Sequence, residues 1–135
     1  MSRENVEIEL SLLVVDDEPQ ALKILGKLIS LEYPDATVHL ADGGQRGLEL
    51  FQKHRPRVVI TDVRMPDLDG IEMALRIKAL GEPTGFIVIT ANHQEGYLEK
   101  LAGLGPCYLL AKPVNFEKLR SALHACLAEL AAAKA

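Results

Sequence analysis

Five polar residues each follow a short apolar run, and together they carry the side chains of a reaction site: Asp16, Asp17, Asp62, Thr90 and Lys112. If the runs are parallel strands of one sheet, their carboxyl ends meet at one edge and bring three carboxylates, a hydroxyl and an ammonium group together. Taken singly, an aspartate after a strand is more often a helix N-cap, and a lysine before a proline is more often a solvated surface residue. The common position of all five favours a site over these simpler interpretations.

The residue types in this set suit metal-assisted phosphoryl transfer. Three clustered carboxylates repel one another and raise one another's pKa, and a hard divalent cation such as Mg²⁺ relieves that repulsion. No cysteine and no convergent histidine accompanies them, which disfavours zinc. Asp62 can act as the nucleophile because a carboxylate can form an acyl phosphate. Mg²⁺ and the Lys112 ammonium would neutralise the phosphoryl charge, and the Thr90 hydroxyl can donate to a phosphoryl oxygen.

Alternating apolar runs and helical repeats predict five β–α units. Strands are predicted at 10–15, 36–41, 57–61, 86–89 and 107–111. Helical periodicity is clearest over 19–31 and after Asn115, a candidate N-cap, and it is weakest in the segment that ends near Leu104. This alternation is typical of an α/β fold with a doubly wound, five-stranded parallel sheet of flavodoxin-like order 2-1-3-4-5. The switch point of that order lies between strands 1 and 3, which end at Asp16 and Asp62.

Length and composition limit the other possibilities. A chain of 135 residues with 48% hydrophobic and 25% charged residues fits one globular domain. We expect that domain over residues 10–131, between short tails at 1–9 and 132–135. The formal net charge of −4 argues against direct binding to nucleic acid. No window approaches about 18 consecutive apolar residues and no targeting segment is evident, so we expect no membrane association and a cytoplasmic location.

Four ordered motifs carry a resemblance to a known family. They are Val14–Glu18 (VVDDE), Asp62–Gly70 (DVRMPDLDG), Thr90–Ala91 and Lys112–Pro113. Each motif alone is weak, but the ordered set resembles the receiver domain of two-component response regulators, over about residues 10–130. The resemblance implies a signalling switch controlled by phosphorylation rather than an enzyme, with a downstream effector or a fused output domain as its target.

The resemblance also implies a role for each residue of the site. Asp62 accepts a phosphoryl group from a phosphohistidine on a sensor histidine kinase or a phosphotransfer protein. Asp17 and Asp62 ligate Mg²⁺ directly, Asp16 acts through water, and the backbone carbonyl of Arg64 completes the protein ligands. Thr90 moves toward the phosphoryl group after transfer.

Further residues are expected to control the phosphorylated state. The resemblance implies that Lys112 pairs with the phosphoryl group and that the Lys112–Pro113 peptide bond is cis. It also places Arg64 and Asn92 on either side of the attacking water. Arg64 is long and cationic and could cover the phosphoryl group, whereas Asn92 could orient water but cannot act as a carboxylate base. The simpler alternative is that both side chains point to solvent.

The fifth strand departs from the family pattern in two ways. Receiver domains usually carry a switch aromatic three residues before the lysine, and Leu109 stands at that position here. Tyr108 lies one residue earlier and should face the opposite side of the sheet. Either the strand slips locally, or coupling runs through Leu109 and Thr90 without an aromatic. The acidic pair that often opens this strand in receivers that dimerise through it is replaced by Cys107 and Tyr108, which lowers the expectation of that homodimer.

Two alternative functions remain beside the receiver interpretation. A phosphatase of the haloacid-dehalogenase type also uses carboxylates and Mg²⁺, but it carries its nucleophile after the first strand, whereas Asp62 follows the third and no cap insertion is present. An interaction-only pseudoreceiver normally lacks an acidic residue or the lysine, and this sequence keeps them all. The sequence leaves open whether the chain acts alone or as part of a longer protein.

Overall fold

The computed structural model describes residues 10–91 and 96–134, which form alternating strands and helices. In chain order they are β1 (Ser11–Val15), α1 (Pro19–Glu32), β2 (Thr37–Ala41), α2 (Gly44–His54), β3 (Val58–Asp62), α3 (Gly70–Lys78), β4 (Gly85–Thr90), α4 (Tyr97–Leu101), β5 (Cys107–Ala111) and α5 (Phe116–Lys134). The strands form one parallel sheet in the order β2-β1-β3-β4-β5. The predicted doubly wound, flavodoxin-like α/β fold is therefore confirmed.

The three central strands are mostly apolar because helices cover both of their faces. Residues on one face, including Leu13, Val59 and Phe86, pack in a core layer with α2, α3 and α4. Residues on the other face, including Leu12 and Ile87, pack with α1 and α5. β2 and β5 form the edges of the sheet and are less buried. The central strands therefore hold their carboxyl ends at fixed positions.

Three helices begin at side chains that accept a hydrogen bond from the first helical turn. Glu18 caps α1 at 2.7 Å, Asp69 caps α3 at 2.8 Å, and Asn115 caps α5 at 3.0 Å. The predicted N-cap at Asn115 is thus confirmed. Because Glu18 caps α1, neither Asp16 nor Asp17 serves as the cap of this helix.

Several boundaries differ from the sequence-based expectations. Asp62 and Thr90 are the last residues of their strands rather than the first residues after them. α4 ends at Leu101, earlier than predicted, because two glycines follow it and Gly105 adopts a φ of +86°. α5 continues to Lys134, beyond the domain limit expected at residue 131. The expected tail at 1–9 and the last residue, Ala135, lie outside the described residues.

No helix within the described part of the chain combines the length and the apolar character needed to cross a bilayer.

Candidate functional site: a carboxylate cluster beside a lysine

Strand register places the three predicted carboxylates together. β1 and β3 are neighbours with Val15 opposite Thr61, so the residues that follow, Asp16 and Asp62, stand side by side. Each is 7% exposed, whereas Asp17 is exposed. One carboxylate oxygen from each of Asp16, Asp17 and Asp62 lies within 4.8 Å of the others. Such an oxygen-only set suits a hard cation such as Mg²⁺.

The electrostatics of Asp16 show why this cluster suits a cation. Burial raises the pKa of Asp16, and the negative charges of Asp62 and Asp17 raise it further. The Glu18 N–H donates to Asp16 Oδ1 at 3.0 Å and, with the Lys112 ammonium, acts in the opposite direction. The net direction is upward, so the ionised carboxylate lacks compensating positive charge. A divalent cation between the carboxylates would supply it.

Lys112 brings a positive charge to the same site from the end of β5. Its Nζ lies 2.9 Å from Asp62 Oδ2. Burial by itself would lower the pKa of Lys112, but the hydrogen bond and the charge of Asp62, with Asp16 and Asp17 behind it, outweigh burial and raise the pKa. The side chain is therefore an ammonium group at neutral pH. The Lys112–Pro113 peptide bond is cis, as the sequence resemblance implied.

Asp62 is held on both of its carboxylate oxygens. The Val63 N–H donates to Oδ1 at 2.9 Å, while Lys112 holds Oδ2. The Thr61 hydroxyl donates to the Asp62 backbone carbonyl at 2.8 Å. These contacts fix the orientation of the carboxylate before any partner arrives, which is the preorganisation that in-line transfer requires.

Thr90 lies at the same edge of the sheet, at the end of β4. It is 2% exposed and stands opposite Ala111 on β5. Its backbone carbonyl accepts the Lys112 N–H at 2.9 Å. The structure thus brings all five predicted residues to one edge, with Thr90 joined to the lysine through the backbone.

The loop after β3 forms one wall of a groove beside the carboxylates. This groove of about 900 Å³ runs between the loop, α3 and α4, and its lining includes Asp17, Arg64, Tyr97 and Lys100. Arg64 is exposed in this loop. Asn92, the other residue expected beside the attacking water, lies outside the described residues. Sequence reasoning missed Tyr97, which is only 6% exposed, because the signal for α4 is weak.

The strand register shows to which face of the sheet Tyr108 and Leu109 of β5 point. Tyr108 pairs with Ile87 and Leu109 with Val88, in an uninterrupted ladder, so the strand does not slip. Tyr108 packs on the α1 and α5 side, where its hydroxyl donates to Glu129. Leu109 packs on the opposite side, toward α4. The predicted opposition of the two side chains is confirmed.

Comparison with known proteins identifies the family. The family model of the response regulator receiver domain matches residues 12–124, so the chain belongs to this family. It is 34% identical over 119 residues to the signal transduction histidine-protein kinase BarA of Escherichia coli (strain K12), covering 87% of this chain and 13% of BarA. It is 35% identical over 118 residues to the response regulator MprA of Mycolicibacterium vanbaalenii, covering 86% of this chain and 49% of MprA.

The chain is also similar to a solved structure. The N-terminal domain of an uncharacterized protein from Wolinella succinogenes is 40% identical, with a TM-score of 0.75, and the match covers 88% of this chain and 98% of that one. Receiver domains are signalling switches rather than conventional enzymes, and they bind Mg²⁺ at an acidic pocket. In this chain Asp16, Asp17 and Asp62 form an acidic cluster at the carboxyl edge of the sheet. The chain spans only 13% of BarA and about half of MprA.

Proposed function

We propose that this chain is a phosphorylation-controlled switch in which Asp62 accepts a phosphoryl group from a phosphohistidine. The donor is a sensor histidine kinase or a phosphotransfer protein. The observation that carries this proposal is the Asp62 carboxylate, which is buried, held between Lys112 and Val63, and flanked by two further carboxylates. A carboxylate in that setting is a poised nucleophile next to the charges that phosphoryl transfer needs.

The acidic cluster would hold Mg²⁺. Asp17 and Asp62 are the proposed direct ligands, Asp16 acts through water, and the Arg64 backbone carbonyl completes the set. The bound ion supplies positive charge to the phosphoryl oxygens. Asp17 suits direct ligation because it is the exposed member of the cluster and can turn toward an ion, whereas Asp16 Oδ1 is engaged by Glu18.

Transfer makes one bond and breaks one. An Asp62 oxygen attacks phosphorus, the P–N bond of the phosphohistidine breaks, and the imidazole leaves and takes a proton. Lys112, which holds Asp62 Oδ2 at 2.9 Å, then pairs with a phosphoryl oxygen. The Thr90 hydroxyl donates to another phosphoryl oxygen and moves toward it. Arg64 covers the product and slows water attack.

The switch then changes the surface that a downstream effector or a fused output domain contacts. Leu109 packs on the α4 side, and strand alternation puts Thr90 on the same face of β4 as Val88, so we propose that coupling runs on this side of the sheet. Tyr108 is engaged with Glu129 on the other side and is not part of that path. We place the protein in the cytoplasm, and we propose no homodimer through β5.

Phosphoryl uptake tests the proposal. The chain is incubated with Mg²⁺ and acetyl phosphate, and its intact mass is recorded beside that of Asp62→Asn. We expect the mass of one phosphoryl group on the unchanged chain and none on the variant. A phosphate monoester should be neither hydrolysed nor used as a donor. Equal labelling of both chains would contradict the assignment of Asp62, and turnover of the monoester would favour a phosphatase.

A further inference from the structure

The N-terminus of α2 is capped by a residue that lies far away in sequence. Gly43 stands at the N-cap position and has no side chain to offer. Asp67, in the loop between β3 and α3, supplies both oxygens instead. The Gly44 N–H donates to Oδ1 at 3.2 Å and the Gln45 N–H donates to Oδ2 at 3.0 Å. The Gln45 N–H contributes most to lowering the pKa of Asp67, so the carboxylate is charged at neutral pH.

The same loop packs against α2 so closely that a side chain is excluded at one position. A Cβ at Gly44 would lie 2.0 Å from the carbonyl oxygen of Leu68, and a Cβ at Gly43 would lie 3.1 Å from Asp67 Oδ2. Leu68 itself is buried, 9% exposed, in the core layer beneath α2 and α3. The loop and the start of α2 therefore form one packed unit, held by two hydrogen bonds and by steric fit.

The loop also carries one of the proposed metal ligands. Arg64, whose carbonyl is a proposed metal ligand, lies three residues before Asp67. Other anchors lie at the two ends of the loop: the Val63 N–H donates to the Ile89 carbonyl on β4 at 3.2 Å, the Gly70 N–H donates to the Val63 carbonyl at 2.8 Å, and Asp69 caps the helix that follows. Asp67 ties the middle of the loop to the start of α2, at a point between these two ends.

We propose that Asp67 is a positioning residue for the metal site: by capping α2 it holds the loop where the Arg64 carbonyl meets the carboxylate cluster. This inference rests on the proposed function. It requires reciprocal coupling, because a contact that strengthens metal binding must itself be strengthened when the metal binds. Mg²⁺ should therefore slow hydrogen exchange of the Gly44 and Gln45 amides. A helix cap without this role would affect thermal stability and leave metal affinity unchanged.

The first test compares two cap deletions on the full chain, without a phosphoryl donor. Asp67→Ala removes the cap of α2, and Asn115→Ala removes the cap of α5, which packs on the opposite face of the sheet from α2 and α3. Mg²⁺ binding is titrated by calorimetry. We expect the dissociation constant to rise about 10-fold in Asp67→Ala, as for residues that orient metal ligands, and to change less than about 2-fold in Asn115→Ala. Asp67→Asn, which keeps one acceptor oxygen, should lie between.

The second test changes α2 rather than the loop, and it compares alanine substitutions at two glycines. Gly44→Ala pushes a methyl group against the Leu68 carbonyl, whereas Gly103→Ala adds one where no atom lies within 4 Å. We expect weaker Mg²⁺ binding in Gly44→Ala and unchanged binding in Gly103→Ala. If Gly44→Ala does not fold, the exchange of the Gly44 and Gln45 amides in the unchanged chain, with and without Mg²⁺, gives the same information.

The outcomes separate this inference from the proposed function. Equal Mg²⁺ affinity in the unchanged chain and Asp67→Ala would overturn the positioning role and leave the proposed function intact. An equal loss of Mg²⁺ affinity in Asn115→Ala would have the same consequence. So would exchange rates of the Gly44 and Gln45 amides that do not change when Mg²⁺ is added. A chain that takes up no Mg²⁺ at millimolar concentration would overturn both.

Discussion

The loop at 63–69 and helix α4 both line the groove beside the site, yet they are built differently. The loop at 63–69 is anchored by Asp67 on α2, by Asp69 on α3 and by the Gly70–Val63 hydrogen bond. α4, by contrast, has five residues, and its N-cap residue, Gly96, has a φ of +72° and no side chain with which to cap the helix. We infer that the loop positions the proposed metal ligand. Little free energy is needed to shift the conformational equilibrium of α4.

Lys112 contacts the last residues of β3 and β4, the strands that precede these two regions, so its removal should have the largest effect. Its ammonium binds Asp62, and its N–H binds the carbonyl of Thr90. We expect Lys112→Ala to slow phosphorylation by acetyl phosphate about 100-fold, because one preorganised charge that stabilises the transition state is lost. Time-resolved intact mass measures the rate. Lys118→Ala, which removes an exposed lysine from α5, is the charge-matched control and should keep the rate of the unchanged chain.

The metal should depend unequally on the two adjacent aspartates. We expect Asp17→Ala to raise the Mg²⁺ dissociation constant by about 10-fold or more, and Asp16→Ala to raise it less, because Asp17 is the proposed direct ligand. Calorimetric titration gives both constants. The reverse ranking would exchange the roles of the two residues.

The raised pKa of Asp16 also predicts how the thermal stability of the metal-free protein depends on pH. This pKa is raised in the fold, so the folded chain binds more protons than the unfolded one between the unfolded pKa and the higher folded pKa. Stability therefore falls as pH rises through that window. At pH 7 without Mg²⁺, we expect Asp16→Asn to melt a few degrees above the unchanged chain. This difference in melting temperature should disappear as the pH falls toward about 4. The exposed Asp35→Asn is the control.

Arg64 tests whether the anchored loop also protects the product. If its side chain covers the phosphoryl group, Arg64→Ala shortens the lifetime of the aspartyl phosphate by about 3- to 10-fold, or about 0.7–1.4 kcal/mol of barrier. A dephosphorylation time course checks this. Arg120→Ala, which removes ion pairs to Glu32 and Glu117 elsewhere on the molecule, should leave the lifetime unchanged. An unchanged lifetime in Arg64→Ala would remove this residue from the mechanism.

The smallest effect is expected in α4. Phosphorylation should change amide exchange several-fold across 97–104, whereas Mg²⁺ alone should act mainly on the loop and on α2. Exchange measured with Mg²⁺ alone and with Mg²⁺ plus acetyl phosphate separates the two responses. Exchange in α4 that stays the same after phosphorylation would mean that the signal leaves by another face of the domain.

The sequence predicts the sheet well and the two flanking segments poorly, for a physical reason. Buried strands need apolar residues on both faces, so Leu12–Val15 and Phe86–Ile89 are visible as runs, and the polar residues that end them mark one edge. Asp67 stands in the recognised motif, yet its partners lie 22 and 23 residues earlier in the chain, and no local pattern reveals a cap over that distance.

Tyr97 escaped prediction for a related reason. Its segment has no strong helical periodicity, and the tyrosine is buried by tertiary packing against the core layer that contains Met65 and Leu104. The side-chain directions on β5, by contrast, follow from strand alternation alone, and the structure confirms them. Local rules therefore predict the elements and facing directions, while contacts between distant loops need the folded chain.

The central claim is that Asp62 carries the phosphoryl group, and chemical trapping tests it most directly. Borohydride reduces an acyl phosphate of aspartate to homoserine, which marks the modified residue in a peptide map. After incubation with Mg²⁺ and acetyl phosphate, we predict homoserine at position 62 and intact aspartate at positions 16 and 17. Homoserine at position 16 or 17 instead, or none anywhere in a chain that has gained the phosphoryl mass, would contradict the account.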